Sequence, residues 1–109
     1  MPSAPSTNNQ FSKALRLARS ATGRTQEDFA VVSSRTYVSS LERGMKSPTL
    51  QKVDELAHAL DLHPLTLLTL AYTSASPEFS ELVQARVRSE LKSIHTHETE
   101  IAGKRRDQA

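Results

Sequence analysis

The stretch TQEDFAVVSSRTYVSSLERGMKSP, Thr25 to Pro48, decides the fold. Thr25 is placed to cap a helix, because its hydroxyl can accept from the orphaned amides of a first turn, and Glu27 and Asp28 suit the positive end of the helix dipole. Phe29 and Ala30 then face inward. Ser33 and Ser34 make a turn, and either can cap the next helix, which is expected to run to about Arg43 before Gly44 permits a left-handed exit. At about 100° per residue, Ser34, Tyr37, Val38 and Leu41 gather on one side of that helix. Arg35, Thr36, Ser39, Ser40 and Arg43 fall on the other. Ser and Thr are poorer helix formers than the Glu, Lys and Gln that usually fill an outer face. Short hydroxyls flanked by arginines suit the floor of a nucleic-acid groove, where Ser and Thr donate or accept and Arg takes guanine bidentately. The plain alternative is a solvated face.

Working outward, a first helix is expected from about Gln10 to Ala21, with Phe11, Ala14, Leu15, Ala18 and Ala21 on one stripe and Gly23 after it. Downstream, Pro48 and Thr49 open a fourth helix with Leu50, Val53, Leu56, Ala57 and Leu60 as its stripe. Pro64, behind His63, opens a fifth through Leu65, Leu68 and Ala71. The expectation is an all-α domain of five helices over residues 10–73, preceded by a disordered arm, residues 1–9, rich in Pro, Ser and Asn.

Composition agrees with a small helical domain. The chain has 109 residues, 37% of them apolar, with five aromatic residues, no Trp and three Gly, a poor fit to a sandwich or barrel. Cysteine is absent, which excludes disulfides and thiolate metal sites and fits a cytoplasmic protein. MPSAPSTNN lacks the basic and apolar regions of a signal peptide, and no run approaches the ~18 apolar residues of a membrane span. The net charge of +2 is unevenly spread. Residues 11–48 hold Lys13, Arg16, Arg19, Arg24, Arg35, Arg43 and Lys46 against Glu27, Asp28 and Glu42, a net +4. Residues 49–75 carry −2 and residues 76–109 balance. The positive field therefore lies on the segment with the hydroxyl-rich helix, as expected if that face meets phosphates.

Four blocks in this order resemble the Cro and phage-repressor type of helix-turn-helix domain, also called the xenobiotic-response-element class: Thr25 to Ala30, Arg35 to Gly44, Ser47 to Leu50, and Leu56 to Leu62. The resemblance covers about Leu15 to Ala71. It implies that Gln26 touches the DNA backbone and that Ser34, Arg35 and Thr36 reach into the major groove. Ser39 and Ser40 match positions that contact bases or phosphates. Glu42 is implied to buttress the recognition helix and Arg43 to bind phosphate. With the basic Arg24 and Lys46, these residues form the expected DNA-binding set. One departure concerns the turn: Val31, Val32, Ser33 and Ser34 alone separate Ala30 from Arg35, where the usual pattern has about six residues. The preceding helix is expected to end early and the recognition helix to enter at a changed angle.

Beyond the domain, a C-terminal helix is expected over residues 76–96, followed by a flexible tail, residues 97–109. Phe79, Leu82, Val83, Val87, Leu91 and Ile94 recur every three or four residues. Reading two half-sites normally takes a two-fold dimer, so this stripe is expected to pair two chains, with Phe79, Leu82, Val83, Val87 and Leu91 as its seam. The alternatives are that it folds back on its own domain or holds a different protein. His95 and His97 with Glu98 and Glu100 lack the converging ligands of a metal site, so no metal and no cofactor are expected. Lys104-Arg105-Arg106 reads as a solvated tail that can add weak phosphate attraction. No nucleophile arrangement, phosphate-cradling loop or HExxH is present, so no enzyme activity is expected. The sequence reads as a regulator that binds double-stranded DNA as a homodimer on an inverted repeat and represses. The rival is an antitoxin or partner-controlled protein whose C-terminal helix binds another protein.

Overall fold

A computed structural model describes residues 9–107, and for residues 104–107 the backbone alone. The proposed arm, residues 1–8 of it, and the side chains of Lys104-Arg105-Arg106 lie outside the described residues. The order is α1 Phe11–Ala21, a 3-10 turn Gln26–Phe29, α2 Arg35–Glu42, α3 Leu50–Ala59, α4 Pro64–Tyr72 and α5 Pro77–Asp107, with no strand among the described residues. The chain divides into two units, one ending at Pro77 and the other beginning at Glu78.

In the first unit α1 packs on α2 and α4, and α3 packs on α4 and the 3-10 turn. Phe11, Ala14, Leu15 and Ala18 bury the expected face of α1, while Ala21, its last residue, is exposed. They meet Phe29, Val38, Leu41, Val53, Leu56, Ala57, Leu60, Leu67 and Ala71. Phe29 and Leu15 are fully buried, and each side chain of this size contributes about 1.5–3 kcal/mol of transfer free energy. Leu50 is exposed because it begins α3, ahead of the turn that packs. In α4 the buried residues are Leu67 and Ala71, whereas Leu65 is exposed and Leu68 half-buried.

The helix expected after Thr25 is a four-residue 3-10 turn. The short connection explains this: Phe29 must reach the core while Ser34, five residues on, must already cap α2. The β-branched pair Val31 and Val32 also disfavours further helix. Thr25 stands at the N-cap and forms a capping box with Asp28, in which the Thr25 amide donates to Asp28 Oδ2 at 2.6 Å. Ser34 is the cap of α2, its Oγ accepting from the Tyr37 amide at 3.1 Å, and Thr49 Oγ1 caps α3 by accepting from the Lys52 amide at 3.1 Å.

Gly44 ends α2 with φ +74°. Its amide donates to the Leu41 carbonyl, and that of Met45 donates to Ser40, the paired bonds that close a helix through a left-handed residue. A side chain at position 44 would strain this exit.

The second unit is α5, a single helix of 31 residues, about 46 Å long. It was expected to close near residue 96 and instead runs to Asp107. The residues after Ile94 are polar, but polarity does not stop a helix, and no Pro follows Pro77 to break it. Leu82, Val87, Leu91 and Ile94 are exposed on it, as is Phe79, while Val83 is half-buried. No helix among the described residues is long and apolar enough to cross a membrane.

Candidate nucleic-acid interface

The hydroxyl-rich face of α2 is organised around Glu42. This carboxylate is 4% exposed and accepts three hydrogen bonds: from Arg19 Nε at 2.6 Å, from Arg19 Nη2 at 2.9 Å and from Gln26 Nε2 at 2.9 Å. Burial pushes the Glu42 carboxyl up, but the bonds from Arg19 and Gln26, with the charges of Arg19 and Arg16, outweigh it and hold the group below the usual glutamate range. The Glu42 hydrogen bond in turn raises the Arg19 guanidinium against its own desolvation. α1, the 3-10 turn and the end of α2 are thus joined at one ionised group, which fixes α2 at its C-terminal end.

At the other end of α2, Arg35 and Thr36 are exposed. Arg35 Nη1 lies 3.6 Å from Glu27 Oε2, with both side chains more than 70% exposed, so water screens the pair and little opposes its exchange for another partner. Ser34 is exposed, although its hydroxyl already accepts the capping bond. Ser39 is half-buried, and Arg43 is exposed with Nε on the Ser39 carbonyl at 3.4 Å. Lys46, exposed, stands 5.5 Å from the centroid of the Tyr37 ring.

Three expected site residues make contacts within the protein or are buried by it. Ser40 is buried, 7% exposed: it sits at the edge of the apolar stripe, where the chain leaving Gly44 doubles back and bonds Met45 N to the Ser40 carbonyl at 2.9 Å. Arg24 is half-buried, and its Nη1 donates to the Leu60 carbonyl at 3.1 Å, a cation at the negative end of α3. Gln26 spends one amide hydrogen on Glu42, which leaves a second for a phosphate oxygen. Arg19 was counted only as part of the basic segment, although its place one turn after the buried Leu15 marks it as inward-facing. Lys52 belongs to no expected site, yet its Nζ lies 2.8 Å from both the Val32 carbonyl and Glu55 Oε1. Its hydrogen bond holds the Glu55 carboxyl below the usual range.

Two short helical segments therefore meet across a turn, the second showing hydroxyls and guanidinium groups outward while its end is fixed to α1. A helix-turn-helix family model matches residues 13–67, just over half of the chain. Among solved structures, the restriction-modification controller protein C.AhdI from Aeromonas hydrophila is similar. It is 35% identical with a TM-score of 0.51, over 58% of this chain and 98% of that one. Among curated proteins none matches. The matched residues take in the 3-10 turn, α2 and the helices that hold them, and the chain belongs to the Cro and phage-repressor family of helix-turn-helix DNA-binding transcription regulators.

Proposed function

We propose that this regulator is a repressor that binds an inverted-repeat operator as a homodimer, with α2 of each protomer in the major groove and α5 pairing the two chains. The observation that carries the groove reading is the exposure of Arg35 and Thr36 at the start of a helix whose far end is fixed through Glu42. Reading helices present their N-terminal residues to base edges, and half-sites one turn of duplex apart require a two-fold pair of them. Leu82, Val87, Leu91 and Ile94, all exposed on α5, supply apolar surface for that pairing. Occupancy of a promoter then blocks transcription sterically. The likeness to the Aeromonas hydrophila controller favours a second reading, in which the regulated genes encode a restriction-modification pair. Selection of bound sites from random duplexes, followed by transcription from a promoter carrying the selected site, tests both. An operator without dyad symmetry, or transcription that rises on binding, overturns the proposal.

Two further results are expected. Affinity for duplex should fall log-linearly with salt, with a slope on the order of −4 to −8 for a dimer. A flat response would mean that phosphates are not neutralised and would favour the partner-binding rival. Arg35→Ala should cost about 1–3 kcal/mol on the selected site and relax its sequence preference, whereas Lys46→Ala should weaken selected and scrambled duplexes alike. Equal losses on both duplexes for Arg35→Ala would remove it from the base-reading set.

A further inference from the structure

The start of α2 is braced from α3 by the side chain of Lys52. Lys52, on the first turn of α3, donates from Nζ to the Val32 carbonyl at 2.8 Å. The same ammonium pairs with Glu55 Oε1 at 2.8 Å and stands 5.5 Å from the centroid of the Tyr37 ring. Val32 lies in the shortened turn, two residues before the Ser34 cap, and Tyr37 carries the amide that Ser34 caps. One charge thus bridges the chain on both sides of the α2 N-terminus. An ammonium has three donors; two are directed at these oxygens, and the ring face attracts the charge itself.

We propose that Lys52 is a positioning residue for DNA reading, which sets the angle at which α2 presents Arg35 and Thr36 by holding the turn at Val32 and the ring of Tyr37. The inference rests on α2 being the reading helix. A turn of four residues without glycine has little slack, so the direction in which α2 leaves it depends on where its carbonyls are tied. Base contacts need that direction held within about 10–20°. Lys46 shows the contrast. It approaches the same ring at 5.5 Å but is exposed, so its ammonium is available to a phosphate. The Lys52 side chain is 24% exposed and its charge is committed to Glu55 and Val32. A phosphate would have to draw it away from both.

The test uses the full chain, the duplex selected by the wild-type protein, and a scrambled duplex of the same length and composition. Lys52→Met keeps the aliphatic stem and removes the charge. The ratio of selected to scrambled affinity should fall on the order of tenfold, the size of one lost base contact, with the salt slope unchanged. Lys52→Arg, which retains a donor for Val32, should restore the ratio. Equal losses on both duplexes with a slope shallower by about one would make Lys52 a phosphate ligand and overturn the proposal. An unchanged ratio would overturn it as well. Should Lys52→Met not fold by circular dichroism, Lys52→Gln, one bond shorter with a polar head that can face water, is read against the same outcomes. Arg35→Ala runs beside these variants: if it leaves the ratio at the wild-type value, the reading-helix assignment fails, whereas loss with Arg35→Ala but not with the Lys52 variants sinks the positioning role alone.

Discussion

Glu42→Ala should remove about 2–3 kcal/mol of stability, the cost of taking the shared acceptor from Arg19 and Gln26. The loss is large because Glu42 is 4% exposed and holds both Arg19 and Gln26. Small domains have about 5–15 kcal/mol in total, so the melting temperature of the variant should fall on the order of 10–20 °C, as read by thermal melts. Glu42→Gln, which keeps the shape and an acceptor, should fall between. The pH dependence follows from the depressed carboxyl. The folded state releases the Glu42 proton more readily than the unfolded chain, so its contribution is complete above the ordinary glutamate range, about 4.3. It is lost as pH falls from there through the folded value, because the unfolded chain then binds more protons. Wild-type melting temperature should therefore decline more steeply than that of Glu42→Gln as pH drops through that window. Parallel declines, or Glu42→Ala within about 1 kcal/mol of wild type, would show that the network contributes little.

What the sequence made legible follows from how local each signal is. The stripe of α1 could be read because Phe11, Ala14, Leu15 and Ala18 stand among polar residues, so only one face could be buried. Val38 and Leu41 fixed the inner face of α2 in the same way. In Pro64–Tyr72 nearly every residue is apolar, periodicity selects no face, and the burial of Leu67 in place of Leu65 is decided by packing against α1 and α3. The 3-10 turn was half legible: a short connection was visible, but its consequence depends on Phe29 and Ser34 being fixed independently. Arg24 and Lys52 were the least legible. Their targets are the carbonyls of Leu60, 36 residues away, and of Val32, 20 residues away, and a backbone acceptor carries no residue identity. Arg24 was counted in the DNA-binding set because a cation in a basic segment looks the same whether it serves the protein or the ligand. Glu42 gave a better clue, as the single acid on a helix otherwise rich in hydroxyls and arginine.

The other large effect concerns α5 and belongs to the proposed dimer. Leu82→Glu or Val87→Glu places a carboxylate on the apolar side of this helix, where Leu82 is 68% and Val87 45% exposed. In a free chain that charge stays hydrated. In a two-fold pair each partner would carry it into a desolvated seam, at a cost of several kcal/mol of association. The first unit should keep its fold, since its buried cluster runs from Phe11 to Ala71 and includes no residue of α5. Operator affinity should nevertheless drop by about a hundredfold to ten-thousandfold, because two half-sites are no longer held by one linked pair of reading helices. Light scattering and circular dichroism on the same sample separate the outcomes. Retained helicity with halved mass and weakened operator binding supports pairing through α5. A monomeric wild type, or a variant that stays dimeric with full operator affinity, would remove α5 from the dimer. A wild-type mass that exceeds one chain only when a second protein co-purifies would move the stripe to the partner-binding rival, since the same exposed leucines and valines would then be covered by a different chain.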